Sequence, residues 1–194
     1  MKSFRFLGNE ILLGTLIALL SISTAFASWQ GSIADSKQSE YELQAMQDLN
    51  DGNAEYVSAN QFIVYDYSMY DGWVTSESED KAAYYEASYS EALQNAIATD
   101  PENPFSDEYY DAMNATAYEY WDSFDANSEV AGQWNNRGDG LQLVMLIMAL
   151  GLAFAAWASL MKEESHMRVL FAIFAILTLL AGVITYLGVP TVAV

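Results

Sequence analysis

Four carboxylates cluster around two prolines in the stretch from Thr99 to Glu108, at Asp100, Glu102, Asp107 and Glu108. Hard oxygen ligands at this density could converge on a divalent cation such as calcium. The same residues also fit solvated helix caps on an acidic face, and both readings stand. Asp48-Leu49-Asn50-Asp51-Gly52 fails as a calcium loop, because Gly falls at the fifth place rather than the sixth and Ala59 stands where the bidentate Glu belongs. Asn114-Ala115-Thr116 is a glycosylation sequon, which makes Asn114 a candidate for modification if it faces the exterior. Arg137-Gly138-Asp139 has the form of an adhesion tripeptide. His166 is the one histidine and there is no cysteine. Disulfides and thiolate sites are therefore excluded, and a histidine-based metal site or a Ser-His relay is not expected. No acid/base pair stands out, so the chain is expected to be non-enzymatic and to use no cofactor.

The elements that must position these residues follow from charge and hydropathy. Residues 28 to 139 hold 23 acidic residues against Lys37, Lys81 and Arg137, a balance of −20 within a chain of net charge −19. Such a surface repels nucleic acid and gathers diffuse cations. Apolar segments at 11–27, 141–161 and 169–189, of 17, 21 and 21 residues, contain no ionisable side chain. A helix needs roughly 20 apolar residues to cross a bilayer core, so each segment can span. Lys2 and Arg5 precede the first segment, and Lys162 and Arg168 bracket the link between the other two. Basic residues in short loops mark the cytoplasmic side. The expectation is a multi-pass protein of the cell membrane with a cytoplasmic N-terminus at 1–10, an acidic extracytoplasmic region at 28–140, a cytoplasmic turn at 162–168 and an external C-terminus at 190–194. Lys2 and Arg5, with Ala25-Phe26-Ala27, also fit a signal peptide cleaved after Ala27. We take the segment as an uncleaved anchor, because a helical pattern continues beyond it.

The exterior holds 12 of the 13 tyrosines and lacks strand-like alternation. It is expected to be an elongated helical stalk or bundle, which makes the chain an all-α membrane protein with three transmembrane helices. Tyr109, Met113, Ala117, Tyr120, Phe124, Asn127, Ala131 and Trp134 recur at steps of three and four, so they are expected to form an inward seam of a helix starting at Ser106. The run Asn135 to Gly140 is expected to end that helix, with Asp139 capping the next. Met46, Leu49, Asn53, Tyr56, Asn60, Ile63, Tyr67 and Tyr70 predict a second seam on a helix continuous with the first membrane segment, kinked at Gly52. Asn at 53, 60 and 127 would fix register between helices if paired. Asp80 to Ala98 predicts a shorter helix between the two. Small-residue stripes at Gly14, Ala18, Ser21 and Ala25, and at Gly151, Ala155 and Ala158, would allow close approach of membrane helices, within one chain or between copies.

Ala27-Ser28-Trp29-Gln30-Gly31, the stretch from Ser58-Ala59-Asn60-Gln61 to Tyr65-Asp66, and Ala98-Thr99-Asp100-Pro101 to Asn103-Pro104 carry a resemblance over nearly the whole chain. In these motifs it resembles a family of uncharacterised prokaryotic three-helix membrane proteins with an exported helical region between the first and second membrane helices. The resemblance implies architecture and supplies no activity. Together these features predict a membrane-anchored interaction or assembly protein of the cell envelope, acting with a protein partner or as a homo-oligomer. The alternative is a transport-associated or channel-forming oligomer whose exterior concentrates cations.

Overall fold

A computed structural model describes residues 6 and 8–192. Its elements are α1 (Glu10–Val74), α2 (Glu79–Glu86), α3 (Glu91–Thr99), α4 (Asp107–Leu160) and α5 (His166–Leu187), with no strand among the described residues. The chain is all-helical, and α1, α4 and α5 are each long and apolar enough to cross a membrane. Lys2 and Arg5 lie outside the described residues.

Three helix boundaries differ from the sequence expectation. First, α1 passes through Gly52 without a break. A Cβ at Gly52 would lie 2.7 Å from the Trp121 ring and 3.1 Å from Tyr120 Cβ, so this glycine serves close helix contact rather than a bend. Second, α4 runs straight through Asn135 to Gly140. There a Cβ at Gly138 would lie 2.9 Å from Asp35 Oδ1, and one at Gly140 would lie 3.3 Å from Val189 Cγ2. Each glycine weakens a helix by about 1 kcal/mol relative to Ala; tertiary contact of this kind outweighs local propensity. Third, the single helix expected over 80–98 is two. The break falls at 87–90, where Ser90 caps α3 by accepting a hydrogen bond from Leu93 N at 3.1 Å.

The chain forms two compact units, one of Met1–Glu42 with Glu129–Val194 and one of Leu43–Ser128. In the first, Leu16, Leu20 and Ala27 of α1 pack with Val144, Met148 and Ala155 of α4 and Ala175 of α5. Gly151 lets the helices meet, since a Cβ there would fall on Thr178 Oγ1 and 2.8 Å from Leu20 Cδ2. Gly151, Ala155 and Ala158 are all buried, whereas Gly14, Ala18, Ser21 and Ala25 are all exposed. The hydroxyls of Thr15, Thr24, Thr178 and Thr185 each donate to a carbonyl one turn earlier, which satisfies them within their own helices.

In the second unit the α1 and α4 segments run antiparallel. Asp48 Oδ2 accepts from Ser123 Oγ at 2.9 Å and from Asn127 Nδ2 at 2.8 Å. Ile63, Tyr89, Leu93 and Tyr109 form its apolar core. The α4 residues Tyr109 and Ala117 are buried, and Met113, Tyr120, Phe124 and Asn127 are half-buried. On α1 the buried line is Ala45, Gly52, Ala59 and Asp66, joined by Ile63, while Met46, Asn53, Tyr56, Asn60 and Tyr67 are exposed. The inward face thus keeps Ile63 buried and Leu49 and Tyr70 half-buried from the expected seam, while its other positions lie one residue away. At Gly52 on this line the lack of a side chain admits Trp121 and Tyr120 of α4.

Candidate functional site

The most constrained polar group in the 43–128 unit is Asp66, which is completely buried. It lies on the small-residue line of α1 and faces the start of α3. Its Oδ1 accepts from Ser90 N at 2.8 Å, and its Oδ2 accepts from the Ser90 hydroxyl and from Tyr109 OH at 2.8 Å. One carboxylate therefore ties α1 to the cap of α3 and to α4 through three neutral donors. Buried charge is stable only when fully hydrogen-bonded, and three donors meet that need here. Aromatic rings enclose the network: Phe105 stacks on Tyr67 at 4.0 Å between centroids and meets Tyr70 and Tyr109 edge-on.

Tyrosine ionisation responds to this enclosure. Burial first, and the bond to Asp66 second, push the Tyr109 phenol well above its ordinary value. Burial, followed by the charge of Glu86, pushes Tyr89 up to about 12. A raised folded-state value means stability is intact below the unfolded tyrosine value of about 10 and is lost as pH rises beyond it. Titration of phenolate absorbance alongside helix content should show Tyr89 and Tyr109 resisting ionisation until the unit opens, between pH 10 and about 12. Ionisation of every tyrosine near pH 10 with helix content unchanged would contradict the enclosure.

Beside Tyr89 opens a cavity of about 570 Å³, lined among others by Tyr70, Trp73, Glu86, Gln94 and Ile97. The end of α1 supplies Tyr70 and Trp73, α2 supplies Glu86 and α3 supplies Gln94 and Ile97. Gln94 Nε2 donates to the Tyr89 carbonyl at 3.0 Å, which fixes the turn before α3. The Tyr89 hydroxyl is buried without a hydrogen-bond partner among the described residues.

The residues singled out by sequence fall elsewhere. Asp100 caps the end of α3, and its Oδ1 accepts from Glu102 N at 3.1 Å. Glu108 stands in the first turn of α4, and a hydrogen bond from Ser106 holds its carboxyl below the usual range. Asp100 and Glu108 line one cleft, but Glu102 and Asp107 do not join them there. Among the described residues no three His, Asp or Glu side chains converge as a metal site would require. Of the two readings of these residues, helix capping describes Asp100 at the end of α3 and Asp107 and Glu108 in the first turn of α4, while Glu102 lies in the turn between. Asn114 is only 5% exposed, and its Nδ2 donates to Tyr110 O at 2.8 Å. Burial on the α4 seam removes it as a glycan acceptor on the folded chain. Arg137-Gly138-Asp139 lies inside α4, where Arg137 donates to Pro190 O at 2.8 Å and Gly138 is buried, so it is not a displayed adhesion loop. Trp134 is half-buried with its indole N–H unpaired among the described residues. His166 opens α5.

No family model, curated protein or solved structure matches this chain. Functional inference accordingly rests on the residues themselves. Asp66 and Ser90 escaped sequence analysis because a buried carboxylate interrupts an apolar pattern. The cavity escaped because its walls come from three helices distant in sequence. The available signals were the seven-residue spacing of Ala45, Gly52 and Ala59 leading to Asp66, and Ser90-Glu91 as a helix start.

Proposed function

We propose that this chain is a non-enzymatic, membrane-anchored assembly protein of the cell envelope that associates with further copies of itself through the outer face of α1. The observation that carries this reading is a charge-free stripe on α1 within the acidic region 28–139. Leu43, Met46, Asn50, Asn53, Val57, Asn60 and Val64 are all exposed, and their steps of three and four repeat every seven residues. That is the spacing of the a and d positions in a coiled coil. The acids of this part of α1, Asp48, Asp51, Glu55 and Asp66, all lie off the stripe. Two copies carrying 23 exterior acids each could approach here without opposing carboxylates. Copies anchored in one membrane present the stripe in parallel, the orientation in which equivalent a positions meet. Asn50, Asn53 and Asn60 would then pair across the interface and fix register at some expense of stability. The exposed stripe Gly14, Ala18, Ser21 and Ala25 independently offers a surface suited to close helix contact.

Because the natural sequence contains no cysteine, single substitutions give an unambiguous test. In membranes, Val57→Cys should form disulfide-linked dimers under mild oxidation, while Glu55→Cys on the same helix should not. Equal crosslinking at both positions, or at neither, would defeat the proposed face. A symmetric ring enclosing a wet path in mild detergent would instead support the transport alternative.

A further inference from the structure

Beyond self-association, we infer that the cavity between the end of α1 and the α2–α3 turn binds a small organic cation of the methylated-ammonium class. Its volume of about 570 Å³ falls within the ordinary range for small-molecule sites. The chemistry of its walls selects the ligand. Tyr70, Trp73 and Tyr89 contribute three aromatic rings, with Tyr70 at 5.7 Å from Trp73 and 6.3 Å from Tyr89 between centroids. Ring faces attract cations within about 6 Å of the centroid, tryptophan most strongly. Glu86 adds a carboxylate to the same wall, and no Lys, Arg or His lines the cavity. Among the described residues the one ion pair is Lys37–Glu40, so Glu86 is not neutralised by a basic side chain.

Other ligand classes fit less well. An anion would meet Glu86 and no positive group. A hard metal ion needs several oxygens at once, and the described residues bring no three acids together. A methylated ammonium instead exchanges weakly held water for aromatic faces and keeps one carboxylate as counter-charge.

The test uses full-length protein in nanodiscs and three probes: choline chloride, its uncharged carbon isostere 3,3-dimethyl-1-butanol, and sodium chloride at matched ionic strength. Ligand-detected NMR should show saturable choline binding in the millimolar range. Glu86→Gln should weaken it by roughly five- to tenfold, and Trp73→Ala by at least about tenfold. Both residues are exposed, and the helix content of each variant verifies folding. Equal binding of the isostere would overturn the inference and leave an apolar slot. Loss of choline binding in sodium chloride would overturn it in favour of a diffuse cation atmosphere, as would unchanged binding in both variants. These outcomes are independent of whether α1 self-associates.

Discussion

Replacing Asp66 by Ala should melt the 43–128 unit with a loss of about 3–5 kcal/mol, among the largest effects of any single polar substitution in the chain. The magnitude follows from what is left behind. Ser90 N, the Ser90 hydroxyl and Tyr109 OH all donate to this carboxylate, and each loses its acceptor at once. An orphaned buried donor costs about 1–3 kcal/mol, and water entering the small space left by Ala recovers part of the sum. Asp66→Asn keeps the volume and one acceptor oxygen but turns an N–H₂ toward donors, so it should fall between wild type and Ala. Asp111→Ala provides the control, because it removes one negative charge from an exposed position of α4. Helix content against temperature, with protease cleavage of the 75–106 segment, would measure the difference. If the two alanine variants lose equal stability, the carboxylate is not the anchor that its geometry describes.

Legibility in the sequence varied with the kind of force involved. The apolar spans and the all-helical class were evident, because long uncharged segments and a Tyr/Ala-rich middle region without alternation leave few other solutions. The seam over Tyr109 to Trp134 was also legible, since α4 buries its large residues and its hydropathy period reports them directly. On α1 the same reasoning found Leu49, Ile63 and Tyr70, which are buried or half-buried, but also selected Met46, Asn53, Tyr56, Asn60 and Tyr67, which are exposed, and passed over Ala45, Gly52, Ala59 and Asp66, which are buried. A helix carrying two weakly apolar faces gives periodicity no means of ranking them. What decides is the size of the partner: Trp121 and Tyr120 approach α1 at Gly52, where a Cβ would lie 2.7 Å from the Trp121 ring and 3.1 Å from Tyr120 Cβ. Asn135 to Gly140 misled for a related reason. Residues that terminate an isolated helix also permit close packing, and the contacts of Gly138 and Gly140 show which role prevails. The acidic cluster at 100–108 was visible as composition, but convergence of ligands is a three-dimensional property that spacing along a loop does not encode.

Basic residues near the apolar segments were read as topology signals, and one of them has a structural task that charge alone does not explain. Arg168 is only 3% exposed. Its Nε donates to Gly8 O and its Nη1 to Met161 O, both at 2.7 Å. It therefore joins the residues before α1 to the end of α4 from the first turn of α5. Carbonyls at a helix C-terminus, such as Met161 O just past α4, lack intrahelical donors, and a buried guanidinium with fixed fork geometry serves Met161 O and Gly8 O at once. Arg168→Ala should cost about 3–5 kcal/mol, since hydrogen bonds to charged groups are worth roughly 1.5–3 kcal/mol each. Arg168→Lys should recover only part of this, because a point-charge ammonium does not reproduce the planar fork. Lys162→Ala separates topology from structure: it removes the same charge from the same link, but its side chain is exposed. Thermal unfolding of the full chain in detergent should rank the variants as Lys162→Ala near wild type, Arg168→Lys intermediate and Arg168→Ala lowest. Equal losses for the two alanine variants would show that the positive charge, and not the pair of carbonyl bonds, is what the chain requires at this position.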